Sequence, residues 1–154
     1  MTGLVIENER GSWILPEPPR PAGRYQEVTR SGRLLATSGH GPGAEPGVPQ
    51  RGVVGADVSL EDGRVAAAST MLAVLASLHD ELGSLDEIAQ VMHVQVFVRC
   101  AADFERHPAV ADAASEVLVG VLGAVRGAHS RTAVGVGSLP FGIPVEIHLT
   151  AMTR

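Results

Sequence analysis

The sequence predicts a single α+β domain in which two helices cover one face of a mixed sheet. Segments with helical spacing of apolar residues and segments that alternate apolar and polar residues follow one another along the chain. In order, they give the elements ββ-α-β-α-ββ. With 154 residues, of which 45% are apolar, the chain is long enough to bury one real core and too short for two comfortable ones.

The N-terminal region is predicted to lie outside this domain. Residues 1–22 carry four prolines, which favour an extended arm on a surface, after a short helix or turn near residues 4–10. Trp13 in this arm needs a place to bury. The domain itself is predicted to span residues 23–154.

A β-hairpin is predicted at the start of the domain, with strands at residues 24–30 and 33–38. Ser31 and Gly32 between them suit a tight turn. Residues 39–52 are rich in glycine and proline and are expected to form a loop.

Two helices are predicted from capping signals and periodicity. Ser59 is a typical N-cap, with acidic residues in the following turn, and Gly83 is the stop signal. The apolar residues at helical spacing between these ends are Val65, Ala68, Leu72, Leu75, Leu78 and Leu82. Pro108 suits the first turn of a second helix, which is predicted to run to about Leu122.

The strand predicted at residues 89–100 has one apolar and one mixed face. The apolar face consists of Met92, Val94, Val96, Val98 and Cys100, and the mixed face of Val91, His93, Gln95, Phe97 and Arg99. A single layer of two helices covers only one face of a sheet, so the other face needs cover from another subunit. We therefore expect an oligomer.

Composition and charge exclude several classes of protein. All twelve basic residues are arginine, and the lack of lysine excludes Schiff-base pyridoxal-phosphate enzymes, lysine-type aldolases and Walker-A NTPases. The net charge of −5 and the lack of a basic run make nucleic acid an unexpected partner. One cysteine excludes an intramolecular disulfide, and no signal segment or long apolar span is apparent. We expect a cytoplasmic protein without a membrane partner.

Two charged residues near the C-terminus are the main candidates for function. Arg131 shares a strand face with the small residues Ala133 and Gly135, while Glu146 and His148 lie opposite the apolar positions of the last strand. A half-buried charge needs a partner or a ligand. The small residues are expected to leave space beside Arg131 for a small carboxylate, which arginine grips with two parallel hydrogen bonds. The alternative is a salt bridge at a subunit interface.

Both ends of the predicted domain carry short runs that resemble known sequence signatures. Residues 131–134 (RTAV), 139–140 (LP) and 145–147 (VEI) are similar to the closing signature of the Rid (YjgF) family, also labelled endoribonuclease L-PSP. Residues 25–26 (YQ) and 34–39 (LLATSG) are similar to its opening signature. The resemblance therefore covers nearly the whole predicted domain.

The resemblance implies a chorismate mutase-like fold and a homotrimer with clefts between neighbouring subunits. It also implies that Arg131 anchors a substrate carboxylate, with Ala133 beside it, and that Glu146 activates water. Tyr25 and Gly39 would line the mouth of the cleft. The implied activity is hydrolysis of small 2-imino or enamine acids to 2-keto acids and ammonia, without a metal or an organic cofactor.

The chain departs from the deaminase pattern at several positions. Ala133 stands where the family has cysteine, His129 and Ser130 stand where it has Pro-Ala, and His148 replaces a second glutamate. These changes alter the pocket, so two rival functions stay open. One is a trimeric small-carboxylate-binding or regulatory protein without turnover, and the other is an endoribonuclease, against which the acidic composition weighs.

The remaining reactive side chains are weaker candidates. Cys100 ends an apolar strand face and is expected to behave as a small hydrophobe. The six histidines have neither metal-binding spacing nor a cysteine partner, so no metal site is expected. His129 and His148 are expected to tune the pH response of the pocket, because both lie near the charged candidates and histidine changes charge near neutral pH.

Overall fold

The computed structural model describes residues 3–154, and in this range the chain forms seven strands and two helices. The strands are β1 (Leu4–Asn8), β2 (Gly11–Leu15), β3 (Val28–Ser31), β4 (Leu34–Thr37), β5 (Ile88–Arg99), β6 (Ser130–Val136) and β7 (Val145–Thr153). The helices are α1 (Leu60–Leu82) and α2 (His107–Arg126). Short 3₁₀ turns at Leu85–Glu87 and Pro140–Gly142 precede β5 and β7.

Five strands form one mixed sheet in the order β3-β4-β7-β5-β6. Strand β7 pairs antiparallel with β4 on one side and with β5 on the other, and β6 pairs parallel with β5 at the edge. A parallel neighbour requires a crossover connection, which α2 provides. The predicted α+β architecture, with its mixed sheet and helices on one face, is therefore confirmed.

The predicted bounds of α1 are confirmed, whereas α2 is longer than predicted. The Ser59 hydroxyl accepts a hydrogen bond from the Asp62 N–H at 3.0 Å, and Gly83 ends α1 with a left-handed φ of 78°. Helix α2 begins one residue before Pro108 and continues past Leu122 to Arg126. Gly123 within it has a φ of 89°, so the extension follows a break in the helical backbone.

The strict alternation predicted for β5 is wrong at one point. A β-bulge between Val91 and His93 shifts the pairing with β7. Val91, assigned to the mixed face, is buried, and Met92, assigned to the apolar face, is 49% exposed. Beyond the bulge the predicted alternation holds.

The N-terminal segment differs most from expectation. Residues 4–15 form an antiparallel hairpin, β1–β2, so of the predicted helix or turn near residues 4–10 the helix is wrong and a turn is present, at residues 9–10. Trp13 packs against the core and lies over Gly120 of α2, where a Cβ atom would stand 2.5 Å from Cζ2 of the indole. The glycine in the helix thus provides the place where the tryptophan is buried.

The predicted β3–β4 hairpin and the loop that follows it are present. The turn falls at Gly32 and Arg33, one residue later than predicted, and both strands are shorter than predicted. Residues 39–52 contain no helix and no extended strand, only a single bridge at His40.

The core lies between the sheet and the helices. Helices α1 and α2 are long and apolar enough to span a membrane by length and composition alone, but 61% and 44% of their most apolar windows are buried within the chain.

The opposite face of the sheet carries exposed apolar side chains, including Leu34 at 49% and Val134 at 38% exposure. This outer face is the one for which a second subunit was expected.

Candidate functional site

Three of the predicted site residues meet in one cavity of about 450 Å³ at an end of the sheet: Tyr25, Gly39 and Glu146. Glu146 is the second residue of β7, and Gly39 follows β4. The backbones of His40 and Ile147 exchange two hydrogen bonds, of 2.8 and 3.0 Å. This pairing holds Gly39 beside Glu146.

Gly39 makes room for the Glu146 carboxylate. A Cβ atom at position 39 would stand 2.3 Å from Oε1 of Glu146 and 2.8 Å from its carboxyl carbon. Any side chain there would displace the carboxylate from its present position. The close approach of backbone and acid is therefore the reason for glycine at this point.

Glu146 is a half-buried acid whose carboxylate makes no hydrogen bond or ion pair with another side chain or backbone group of residues 3–154. Burial raises the pKa of its carboxyl group, and the nearby His40 opposes this shift. An acid of this kind keeps its acceptor capacity free for a ligand or a water molecule. It also exchanges a proton closer to neutral pH than an exposed glutamate does.

His40 and Glu27 complete the cavity and were not predicted. His40 is 3% exposed, and its Nδ1 lies 2.7 Å from the Ser38 carbonyl oxygen. Its Nε2 lies 2.8 Å from the Ser77 hydroxyl and 3.2 Å from the Glu27 carboxylate. Their positions in the sequence could have indicated them as site residues, because His40 directly follows Gly39 and Glu27 closely follows Tyr25.

The mouth of the cavity is formed by two connecting segments, the one before β3 and the one before β7. The Tyr25 hydroxyl accepts a hydrogen bond from the Ala22 N–H at 3.1 Å, which ties the segment before β3 to the cavity rim. Phe141 on the other side is 72% exposed and has a φ of 60°. A left-handed backbone is unusual for a phenylalanine and often marks a functional loop.

Arg131 lies elsewhere in the chain. It pairs with Val94 in the β5–β6 register and projects towards α2, where Nη1 donates to the Asp112 carboxylate at 2.9 Å and the Ser115 hydroxyl at 3.0 Å. Glu146 projects from the opposite face. Within one chain the structure therefore does not join Arg131 to the cavity, and Arg131 is not the ion-pair partner of Glu146.

The space expected beside Arg131 is occupied. Ala133 packs against the core, and a Cβ atom at Gly135 would stand 2.6 Å from His107 Nε2 and 2.7 Å from Cys100 Sγ. The prediction of an open floor of small residues is thus wrong, because side chains at the start of α2 and the end of β5 fill it.

Cys100 has a histidine neighbour that the spacing did not indicate. Its Sγ lies 3.3 Å from His107 Nε2, so the expectation that no histidine has a cysteine partner is wrong. Burial raises the pKa of the thiol, which favours the protonated form. No group of three or more potential metal ligands is found within residues 3–154.

The two histidines expected to tune the pocket have different surroundings. His129 Nε2 lies 2.9 Å from the Ser115 hydroxyl, so it is linked to Arg131 through that serine. His148 lies on the outer face with its ring 6.0 Å from that of Phe97. Burial, and then the neighbouring His93, lower the pKa of His148.

The helix layer and the mixed sheet define an α+β protein with a chorismate mutase-like fold, and the glutamate beside Gly39 lies in a ligand-sized cavity at one end of the sheet. The profile of the endoribonuclease L-PSP family matches residues 16–153. The chain belongs to this family, also known as the YjgF or Rid family.

Individual relatives are similar over nearly their whole lengths. Protein TCP17 of Trypanosoma cruzi is 36% identical over 147 residues, which cover 95% of this chain and 92% of TCP17. The crystal structure of Atu1372 from Agrobacterium tumefaciens matches with a TM-score of 0.84 and 33% identity, over 92% of this chain and 87% of that one. A candidate endoribonuclease from Shewanella oneidensis MR-1 matches with a TM-score of 0.84 and 28% identity, over 90% and 91% of the two chains.

The raised pKa of Glu146 predicts how stability depends on pH. Because the folded state holds this proton more tightly than the unfolded state, the stabilising contribution is complete below the ordinary pKa of glutamate and is lost as pH rises through the raised value. His148, with its lowered pKa, contributes with the opposite sign. We expect Glu146→Gln to remove only the glutamate contribution.

Denaturant unfolding of the wild type and of Glu146→Gln across acidic to neutral pH measures the difference. The exposed Glu105→Gln variant is the matched control and should follow the wild type. If the free-energy difference between wild type and Glu146→Gln does not change with pH, the carboxyl group has an ordinary pKa.

Proposed function

We propose that this protein is a deaminase-type hydrolase that converts small 2-imino acids, or the enamines in equilibrium with them, to 2-keto acids and ammonia. The observation that carries the proposal is the half-buried carboxylate of Glu146, which is unpaired within residues 3–154 and lies over Gly39 in a cavity of about 450 Å³. A cavity of this volume suits a small ligand. The resemblance of the two terminal signatures to those of Rid deaminases implies the same reaction class.

Glu146 acts as the general base in this proposal. It takes a proton from a water molecule whose oxygen attacks the imine carbon, and the C=N double bond becomes a single bond in a carbinolamine. Glu146 passes this proton to the nitrogen, which completes the carbinolamine. A second transfer through Glu146 moves the hydroxyl proton of the carbinolamine to the nitrogen, so the C–N bond breaks, the carbonyl forms and neutral ammonia leaves. The reaction consumes one water for each ammonia released and requires no metal or organic cofactor.

The carboxylate anchor of this site comes from a second copy of the chain. Arg131 lies on the edge strand β6 and faces away from Glu146 of its own chain, so only another subunit can bring an Arg131 to the cavity. We propose a homotrimer in which β6 of one subunit borders the cavity of the next. The exposed apolar outer face of the sheet favours such an assembly.

Asp112 competes with a ligand for the Arg131 guanidinium. Arg131 already donates to Asp112 at 2.9 Å, in a pair whose acidic side chain is 55% exposed. A ligand carboxylate must share the guanidinium with Asp112 or displace it. Because an exposed ion pair contributes only about 0.2–1 kcal/mol, a ligand that binds through two hydrogen bonds can compete.

Two other functions use the same cavity. A carboxylate-binding or regulatory protein would bind the ligand without turnover. An endoribonuclease is suggested by the family's description, but the chain carries a net charge of −5. The cavity is also lined by two carboxylates, Glu27 and Glu146, against one arginine, Arg20. An RNA phosphate backbone requires the opposite balance of charge.

The assembly is tested by light scattering on the purified chain at micromolar concentration. We expect the mass of three chains. A stable monomer would contradict both the trimer and the shared cleft, because Arg131 could then not reach a cavity.

The reaction is tested with imino acids generated in situ by an amino-acid oxidase. We expect the wild type to accelerate ammonia release and Glu146→Gln to lose about 10²–10⁴-fold of that acceleration, the usual contribution of a general base. Glu105→Gln should retain full activity. Tight carboxylate binding without acceleration would favour the regulatory function, and cleavage of RNA that depends on Glu146 would favour the endoribonuclease.

The anchor is tested by variants of Arg131 and Asp112. We expect Arg131→Ala to weaken the binding of small carboxylates at least about tenfold, because each charged hydrogen bond contributes roughly 1.5–3 kcal/mol. Arg131→Lys should restore little of this affinity, because an ammonium group cannot donate two parallel hydrogen bonds to one carboxylate. Asp112→Asn should strengthen binding by removing the competing carboxylate.

Titration calorimetry measures these affinities, and thermal melting of the same samples separates binding from folding. An Arg131→Ala variant that melts much earlier or loses its trimer, while its folded fraction binds carboxylates normally, would contradict the role as anchor.

A further inference from the structure

A second cavity lies on the helix side of the molecule and shares no lining residue with the Glu146 cavity. It has a volume of about 780 Å³ and is bounded by β2, the outer side of α1 and the loop before α1. This volume falls in the range of small-molecule sites, roughly 300–1,000 Å³. We call it the hairpin groove, defined by Trp13, Ile14, Glu45, Val65 and Leu72.

The walls of the hairpin groove are apolar and open to water. Ile14 is 61% exposed and Val65 is 43% exposed, on facing elements of the groove. Leu72, Val48 and Pro46 extend the same apolar surface. An apolar ligand that covers these side chains would remove them from water, which is the main favourable term in binding of this kind.

The groove is held in shape by specific contacts. Trp13 is seated against Gly120 of α2, where no side chain interferes. The Ser69 hydroxyl of α1, which is 5% exposed, donates to Oε2 of Glu45 at 3.0 Å and accepts from the Gly43 N–H at 2.9 Å. These bonds tie the loop to the helix, so the groove exists before a ligand binds and less ordering is needed on binding.

The charge at the groove selects the kind of ligand. Its charged lining residues are Glu17 and Glu45, both carboxylates. One oxygen of Glu45 is engaged by Ser69, which orients the other without neutralising the charge. A cationic head group is the complement of two carboxylates, and the Trp13 indole beside them also attracts cations.

We propose that the hairpin groove binds small amphipathic amines, with the apolar part against Trp13, Ile14 and Val65 and the ammonium group at Glu45. The proposal does not depend on the function proposed for Glu146, because the two cavities are separate. It assigns to the N-terminal hairpin a role in ligand binding.

The fluorescence of Trp13, the only tryptophan in the chain, reports occupancy directly. The full-length protein is titrated with octylamine, octanol and octanoate, which have eight carbons each and head groups of different charge. We expect octylamine to change the emission with half-saturation below about 1 mM, a modest affinity for nine heavy atoms. It should bind about two- to fivefold tighter than octanol, the range for one exposed ion pair, and tighter still than octanoate.

Three variants locate the site. Glu45→Gln keeps an acceptor for Ser69 and should remove the preference for the amine while octanol still binds. Ala68→Leu fills the groove and should weaken all three probes, with melting temperature as the check on folding. Glu105→Gln is the remote control and should bind like the wild type.

Several results would overturn the proposal. These are equal affinity for the three probes, no change in Trp13 emission below millimolar concentration, or an amine preference that survives Glu45→Gln. If the Ala68→Leu variant alone forms an assembly of a different mass from that of the wild type, the groove is instead an interface with a second copy of the chain. Loss of ammonia release in the assay above would leave this inference untouched.

Discussion

The position of β7 is the constraint on which the rest of the structure depends. This strand pairs with β4 on one side and β5 on the other, and every second residue from Val145 to Thr153 is buried. A slip of one residue would turn Glu146 and His148 into the core and the apolar residues out of it. Two neighbouring strands and one buried face therefore oppose such a slip. The same register brings Gly39 beside Glu146, so the cavity is a consequence of sheet pairing.

The sheet separates the two charges that the proposed chemistry needs. Glu146 projects from one face at the start of the central strand, and Arg131 projects from the other face on the edge strand. Within residues 3–154 of one chain, the Glu146 carboxylate has no hydrogen-bond or ion-pair partner, while the Arg131 guanidinium donates to Asp112 and Ser115. Joining them across a subunit boundary would make assembly a condition of function. A ligand carboxylate would then replace the Asp112 carboxylate as the partner of the Arg131 guanidinium.

Several features followed from local signals in the sequence. The bounds of α1 were predictable because Ser59 and Gly83 act on the backbone within a few residues. The faces of β7 were predictable because a strand has a period of two. The grouping of Tyr25 with Glu146 came from the resemblance at the two ends of the domain, whereas composition and periodicity alone left the partner of each charge open.

The tertiary structure alone decided the contacts between distant segments. Residues 4–15 form a hairpin whose Trp13 packs over Gly120, a contact that no local pattern indicates. The bulge before His93 places Val91 and Met92 on the faces opposite to those predicted, because the pairing of β5 with β7 does not follow a strict period of two there. Arg131 met an acid 19 residues away in α2. Caps and periodicity act within a few residues, so the sequence by itself determined the two helices and most strand faces of the domain. The N-terminal hairpin, the bulge in β5 and the pairing of charges depended on which elements packed together.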